Sequence, residues 1–422
     1  MPQTSASISQ RFTALIALAF CALFSIAAFA ESPVASDRPA TPRVFYADPA
    51  ALIAAKARFA AKDADLQPVF KKLLADADKV LNAKIPSVME KKKTPASGDK
   101  HDYLTQAPYF WADTNSPDGK YLRRDGERNP ESEADSDANR LSRVCSASHA
   151  LALAYYFTGD EKYAAKAANF IRVFFLNTDT RMNPNLNYGQ GVPCESEGRP
   201  AGLISARCLV DLVDAIGLIA GSKSWTAADQ TGITDWASQY YHWLTTSKIG
   251  TGEGAAKNNH GSFYDTQAVS FALFLGKTDD ARKIVQEART KRIARQIEPD
   301  GRQPLELART LSFGYSAFNL KALMDLACLG RSVNEDLWHY ETPDGRSIHK
   351  ALAFMAPYAD PKNKWPFPQI HKASLPSLGE LLYRAAGEYS DSTLNDALKK
   401  FSADEFSSNP SRLYQLNTLT SK

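Results

Sequence analysis

Two short segments hold the residue types that chemistry needs. The first is Lys257-Asn258-Asn259-His260-Gly261-Ser262-Phe263-Tyr264-Asp265-Thr266-Gln267, preceded by Gly252 and Gly254. A helix that begins near Asn258 or Asn259 and runs through Leu275 puts His260, Tyr264 and Gln267 on one face, at i, i+4 and i+7. A lone histidine at a helix start is more often structural than catalytic. Here two Asn, a Tyr and a Gln accompany it, and an aromatic, amide-rich face suits a sugar-binding cleft. The second segment is Arg309-Thr310-Leu311-Ser312-Phe313-Gly314-Tyr315-Ser316-Ala317-Phe318-Asn319. Ser312 can cap a helix running to Cys328, leaving Tyr315 in its first turn and Arg309 on the preceding loop. A helix N-terminus favours anions, so a phenolate at Tyr315 or a ligand carboxylate would be stabilised there. The bland alternative makes Tyr315 a half-buried core aromatic and pairs Arg309 with Glu306.

These residues must be positioned by an almost wholly helical chain. Ala50 to Lys84 gives two helices with Ala, Leu and Lys at helical spacing. Residues 85–140 differ, with dense Pro, Gly, Asp and Asn and interleaved aromatics. That is a long loop region, and His101-Asp102-Tyr103 and Tyr109-Phe110-Trp111 argue that it is ordered. Beyond it an apolar helix repeatedly ends at a Gly and a second helix follows, around Gly159, Gly276, Gly330 and Gly387. Each Gly can supply a left-handed C′ position, and Asp160 or Ser390 can cap the next helix. Repeated helical hairpins with hardly a convincing strand predict an all-α fold of stacked antiparallel pairs. Closed into a ring, they form an α/α toroid whose inner helices surround a cleft. An open solenoid is the alternative, but irregular repeats and long aromatic loops suit a closed enzyme better.

The ends and the composition set further bounds. Arg11, an apolar run from Phe12 through Phe29, and Ala28-Phe29-Ala30 predict a signal peptide over residues 1–30, cleaved before Glu31. Residues 31–43 read as a linker rich in Pro, Ala and Ser, and residues 44–422 as one domain. The expectation is a periplasmic or secreted protein with no membrane span once the signal is removed. With 50 basic and 47 acidic residues, no nucleic-acid footprint is present, and a polyanion would have to be met by a local basic cleft. Cys145, Cys194, Cys208 and Cys328 lack metal-ligand spacing and read as buried small hydrophobes. No carboxylate cluster suggests calcium, and neither a metal nor a cofactor is expected.

The Asn-Asn-His-Gly-x-x-Tyr-Asp-x-Gln block at 258–267 and the later Arg-x5-Tyr block resemble the alginate and glucuronan lyases of polysaccharide lyase family thirty-eight. These are distant relatives of the family-five alginate lyases, which also carry an Asn-His pair and a later Arg and Tyr. Gln106-Ala107-Pro108-Tyr109-Phe110-Trp111, Arg123-Arg124-Asp125-Gly126 and Met182-Asn183-Pro184-Asn185-Leu186-Asn187-Tyr188 strengthen the resemblance, which covers roughly residues 45 to 400. It implies an incomplete α/α toroid, with Tyr315 and His260 catalytic, Arg309 assisting and Asn259 matching the family-five pair. Asn187 is the choice for the asparagine that holds the substrate carboxylate. Tyr264, Gln267, Tyr109, Trp111 and Arg124 are the remaining candidates for substrate binding. Phe263-Tyr264 stands where many relatives have Trp-Tyr.

The reaction so implied is β-elimination on a uronic-acid polymer. Removing the weakly acidic C5 proton builds negative charge on the C6 carboxylate, so that carboxylate must be neutralised, the proton taken and the departing O4 protonated. Asn and Arg can supply preorganised donors, and Tyr and His can transfer protons. The expected substrate is polymannuronate or glucuronan, with Tyr315 as base and acid and His260 assisting. A glycoside hydrolase on the same toroid would need two flanking carboxylic acids. Asp265, Glu195 and Glu197 are available for it, without a paired arrangement. A non-catalytic glycan-binding protein could keep the aromatic loops and arginines but would not need the Asn-His and Tyr constellation.

Overall fold

The computed structural model describes residues 41–402 and 406–415. The signal-peptide segment and residues 31–40 of the linker lie outside the described residues. The chain is anchored from Arg43 onward. Its guanidinium donates to the carbonyl of Phe274 at 2.6 Å, and the buried Asp214 carboxylate accepts from the backbone N–H groups of Phe45, Tyr46 and Ala47.

Helical hairpins make up most of the molecule. Pro49–Ala60 starts at Asp48, whose side chain accepts from the N–H groups of Ala50 and Ala51, and Pro49 occupies the first helical position where no donor is needed. Gln67–Leu81 follows, so the two helices expected between residues 50 and 84 are present. The hairpin at Gly159 forms as the sequence predicts. Gly159 takes φ +70° and Asp160 caps Glu161–Ile171. Gly276 is also left-handed, at φ +72°. The other two hairpins turn differently. Gly330 stays helical, with the carbonyl of Glu335 close to where a Cβ would stand, and Asn334 takes the left-handed position. Gly387 is not left-handed either, and Asp391 rather than Ser390 caps Ser392–Leu398.

Asp137–Thr158, Leu209–Ile219, Asn259–Phe274, Ser312–Gly330 and Leu375–Ala385 pack one against the next as an inner series. Glu161–Ile171, Ala227–Thr246 and Thr278–Ala288 lie behind them. The result is the incomplete α/α toroid expected of the sequence. One continuous core of Leu, Ala, Phe, Val and Ile fills the space between the two layers. The inner helix Asn259–Phe274 is buried along nearly its whole length, as a helix packed on several sides must be.

The loop region of residues 85–140 is ordered and carries most of the little strand structure present. Strand β1 (Leu104–Gln106) pairs in parallel with β4 (Tyr188–Gly191), and β2 (Phe110–Ala112) pairs antiparallel with β3 (Tyr121–Arg123). These strands form one wall over the inner helices. Of the cysteines, Cys145 and Cys328 are buried as expected, whereas Cys208 is half-buried and Cys194 exposed; all four are free thiols. Among the described residues no helix is long and apolar enough to cross a membrane.

Candidate active site

A cleft of ≈ 840 Å³ opens between the inner helices and the strand wall. Its lining includes Asn259 and His260 from one helix, Tyr315 from the next, Arg309 from the loop before it, and Tyr109 from the turn between β1 and β2. The two segments singled out in the sequence therefore meet across one space. Six cationic side chains line it, Arg123, Arg128, Arg199, Arg207, Arg309 and Lys321, against three acidic ones, Glu133, Asp211 and Asp325. The nearly neutral chain thus concentrates positive charge where a polyanion would enter.

Tyr315 sits within a polar chain. Arg309 grips Asp125 through Nε and Nη2, and the same Nη2 donates to the Tyr315 hydroxyl at 2.6 Å. The Tyr315 hydroxyl in turn donates to that of Tyr109 at 2.7 Å. Nη1 of Arg309 takes no part in these bonds. Burial pushes the Tyr315 phenol well above its usual range and the bond to Tyr109 adds to this, while the Arg309 guanidinium opposes it. Burial also raises Asp125, but its bonds to Arg309 and Thr310 outweigh that and hold it at about 2. Arg309 is therefore paired with Asp125, not with Glu306. The Asp125 turn depends on Gly126, which has φ +81° and a position where a Cβ would stand 2.5 Å from Thr310 Oγ1; only glycine fits there.

Asn258 caps its helix by accepting from the N–H of His260, and the helix begins at Asn259 as predicted. Buried Glu306 accepts from both the backbone N–H and Nδ2 of Asn259, at 2.7 Å each. Those bonds fix the amide, and Nδ2 keeps a second hydrogen. His260 Nδ1 lies 2.6 Å from Glu253 Oε1, and the Glu253 side chain is only 3% exposed. A carboxylate can only accept, so Nδ1 carries a proton and Nε2 is the ring nitrogen left for the cleft. Glu253, between Gly252 and Gly254, is a site residue that sequence reasoning missed. Its one signal was its place just upstream of the Asn-Asn-His block.

The other candidates divide. Tyr109 lines the cleft, whereas Tyr264, Gln267, Trp111, Arg124 and Asn187 do not. Tyr264 donates to the carbonyl of Leu244, and Gln267 is fully buried between Tyr240 and Leu203. The cleft is lined from this helix by Asn259, His260, Phe263 and Thr266, so of the predicted face His260 reaches it and Tyr264 and Gln267 do not. Phe263 packs on Phe318 with ring centres 4.3 Å apart. Arg124 is exposed and stacks over Trp111. Asn187 accepts from Trp243 Nε1 on the outer helix Ala227–Thr246, away from the cleft. Ser312 does not cap its helix; its hydroxyl donates to the carbonyl of Pro368 and accepts from Trp365. The acids available to a hydrolase are misplaced. Asp265 is buried against Arg292, Glu195 and Glu197 are exposed, and none of the three lines the cleft. Among the described residues no group of His, Cys, Asp and Glu could hold a metal.

The model of the alginate lyase family matches residues 87–365. The crystal structure of an alginate lyase from Bacteroides ovatus is 39% identical and superposes with a TM-score of 0.84, covering 88% of this chain and 99% of that one. The apo form of a variant of alginate lyase A1-III is 15% identical, with a TM-score of 0.50 over 83% of this chain and 96% of the other, a likeness of fold alone. No curated protein matches. By the match over most of its length and by its similarity to the Bacteroides enzyme, the chain belongs to the alginate lyase family and is a polysaccharide lyase.

Proposed function

We propose that this lyase cleaves a 4-linked uronic-acid polymer, polymannuronate or glucuronan, with Tyr315 as both base and acid. The observation that carries the reading is the chain Asp125–Arg309–Tyr315–Tyr109, which brings a phenol and a guanidinium together at the edge of a basic cleft. The phenolate form of Tyr315 takes the C5 proton, and the electron pair moves into the C6 carboxylate. That charge is met by Nη1 of Arg309 and the free N–H of Asn259. Collapse forms the C4–C5 double bond and breaks C4–O4, and the Tyr315 phenol returns its proton to O4. His260, oriented by Glu253, assists the ionisation of Tyr315 or orients the sugar. No water is consumed and no pair of catalytic carboxylates is required.

We also propose that the chain is a member of polysaccharide lyase family thirty-eight, on the resemblance of its Asn-His, Arg and Tyr blocks. We likewise propose, on Arg11, the apolar run from Phe12 through Phe29 and Ala28-Phe29-Ala30, that residues 1–30 are a cleaved signal peptide and the mature enzyme periplasmic or secreted. Replacing Tyr315 by Phe removes one hydroxyl and should lower turnover on polymannuronate by ~10²-fold or more, with the fold intact. Near-native activity in a folded Tyr315→Phe protein would return that residue to a packing role.

A further inference from the structure

Arg199 is a half-buried guanidinium in the cleft wall with no carboxylate bound to it. Its Nη2 donates to Gln190 Oε1 at 2.8 Å, and its Nε is buried without a hydrogen-bond partner. The guanidinium carbon lies 4.9 Å from the centre of the Phe110 ring. Burial lowers its pKa and the neighbouring Arg123 guanidinium lowers it further, which the Glu253 and Glu195 carboxylates oppose without outweighing. Withdrawing a cation from water beside another cation is unfavourable unless an anion arrives to meet it. Of the other arginines that line the cleft, Arg123, Arg128 and Arg309 are paired with acids, and Arg207 donates to the carbonyl of Ile204 and lies over the Phe318 ring.

The backbone around Arg199 is built at a cost. Gln190 is a non-glycine residue at φ +50°, a conformation that persists only where its surroundings enforce it. Its N–H is held by Thr105 Oγ1 of β1 at 2.7 Å. The Arg199 N–H donates to the carbonyl of Gly189, and a Cβ on Gly198 would stand 2.0 Å from the carbonyl oxygen of Asn187. The strand end and the loop after it are thus pressed together, and the result of that packing is to aim Gln190 at Arg199. Both residues line the cleft, Gln190 on β4 and Arg199 at the end of the loop after it, rather than on the helices that carry His260 and Tyr315.

We propose that Arg199 binds the carboxylate of the uronate unit adjacent to the one being cleaved, with Gln190 and Phe110 holding its guanidinium in place. The proposal rests on the uronate reading of the cleft and adds a subsite to it. A planar fork with free donors matches a carboxylate, and a ring at its back restricts its rotation.

The test uses mannuronate tetrasaccharide and its carboxyl-reduced, neutral counterpart, titrated calorimetrically into the Tyr315→Phe protein with and without Arg199→Ala. The second substitution should weaken binding of the charged ligand roughly 10- to 100-fold, the range of a charge-assisted hydrogen bond, and leave the neutral ligand unaffected. In the otherwise native enzyme, Arg199→Lys should raise KM on the tetrasaccharide and preserve kcat. Equal affinity with and without Arg199, or equal loss for both ligands, overturns the proposal, as does a fall in kcat at unchanged KM. Cleavage of the tetrasaccharide by the Tyr315→Phe protein would count against Tyr315 and not against Arg199, whose effect is then read from KM alone. Failure of the native protein to bind any uronate oligomer would overturn both.

Discussion

The Arg309 guanidinium carbon lies 3.6 Å from the centre of the Tyr315 ring while its Nη2 donates to the Tyr315 hydroxyl. One cation therefore touches both the face and the oxygen of the same phenol, and Asp125 fixes its orientation from the other side. Lysine keeps the charge but has neither the plane nor the fork. Arg309→Lys should lower kcat/KM on polymannuronate by ~10²-fold, the scale for losing an oriented donor at developing charge. Activity equal to that of the native enzyme would reduce Arg309 to general electrostatics.

The pH profile follows from the groups around Tyr315. Burial and the bond to Tyr109 favour the neutral phenol, and Arg309 favours the phenolate. Because the base is the phenolate, kcat/KM should rise with pH through the alkaline range. In Tyr109→Phe one stabiliser of the neutral form is gone, so the rising limb should move to lower pH. A limb that stays in place or moves upward would show that Tyr109 does not stabilise the neutral phenol.

Glu253 should act through His260. With Glu253→Gln the carboxylate that fixes the Nδ1 proton is lost, and activity should drop by roughly 10²-fold as the wrong tautomer becomes populated. The imidazole ¹⁵N shifts of His260 should change together with the rate. A rate loss without any change in those shifts would make Glu253 a structural residue only.

The fold was legible because helical hairpins leave a strong periodic trace, and the Asn-Asn-His and Arg-x5-Tyr blocks are short-range patterns. The face of the His260 helix was not legible. With Asn259 and nearly all residues from Gly261 to Phe274 buried, polarity no longer distinguishes one side, so Tyr264 and Gln267 were grouped with His260 where Asn259, Phe263 and Thr266 accompany it in the cleft. Glu253 and Arg199 escaped because each is defined by a contact across the fold rather than by spacing. Trp111, Arg124 and Asn187 have the right chemistry for a sugar site, but strand pairing and the Ala227–Thr246 helix turn them elsewhere. Gln106, Tyr109, Arg123 and Asp125 show that the loop motifs nonetheless marked the correct wall.

Stereochemistry tests the central claim most directly. In 4-linked β-D-mannuronate and β-D-glucuronate the C5 hydrogen and O4 lie on the same face, so a single Tyr315 can take the proton and return it. In α-L-guluronate they lie on opposite faces, and a second base would be needed, for which Nε2 of His260 is the available group. The measurement is the initial rate of the native enzyme and of His260→Ala on polymannuronate, glucuronan and polyguluronate, each free of the other blocks. The account predicts fast cleavage of polymannuronate or glucuronan and slow cleavage of polyguluronate by the native enzyme. Fast cleavage of polyguluronate that disappears in His260→Ala would contradict it and make His260 the base.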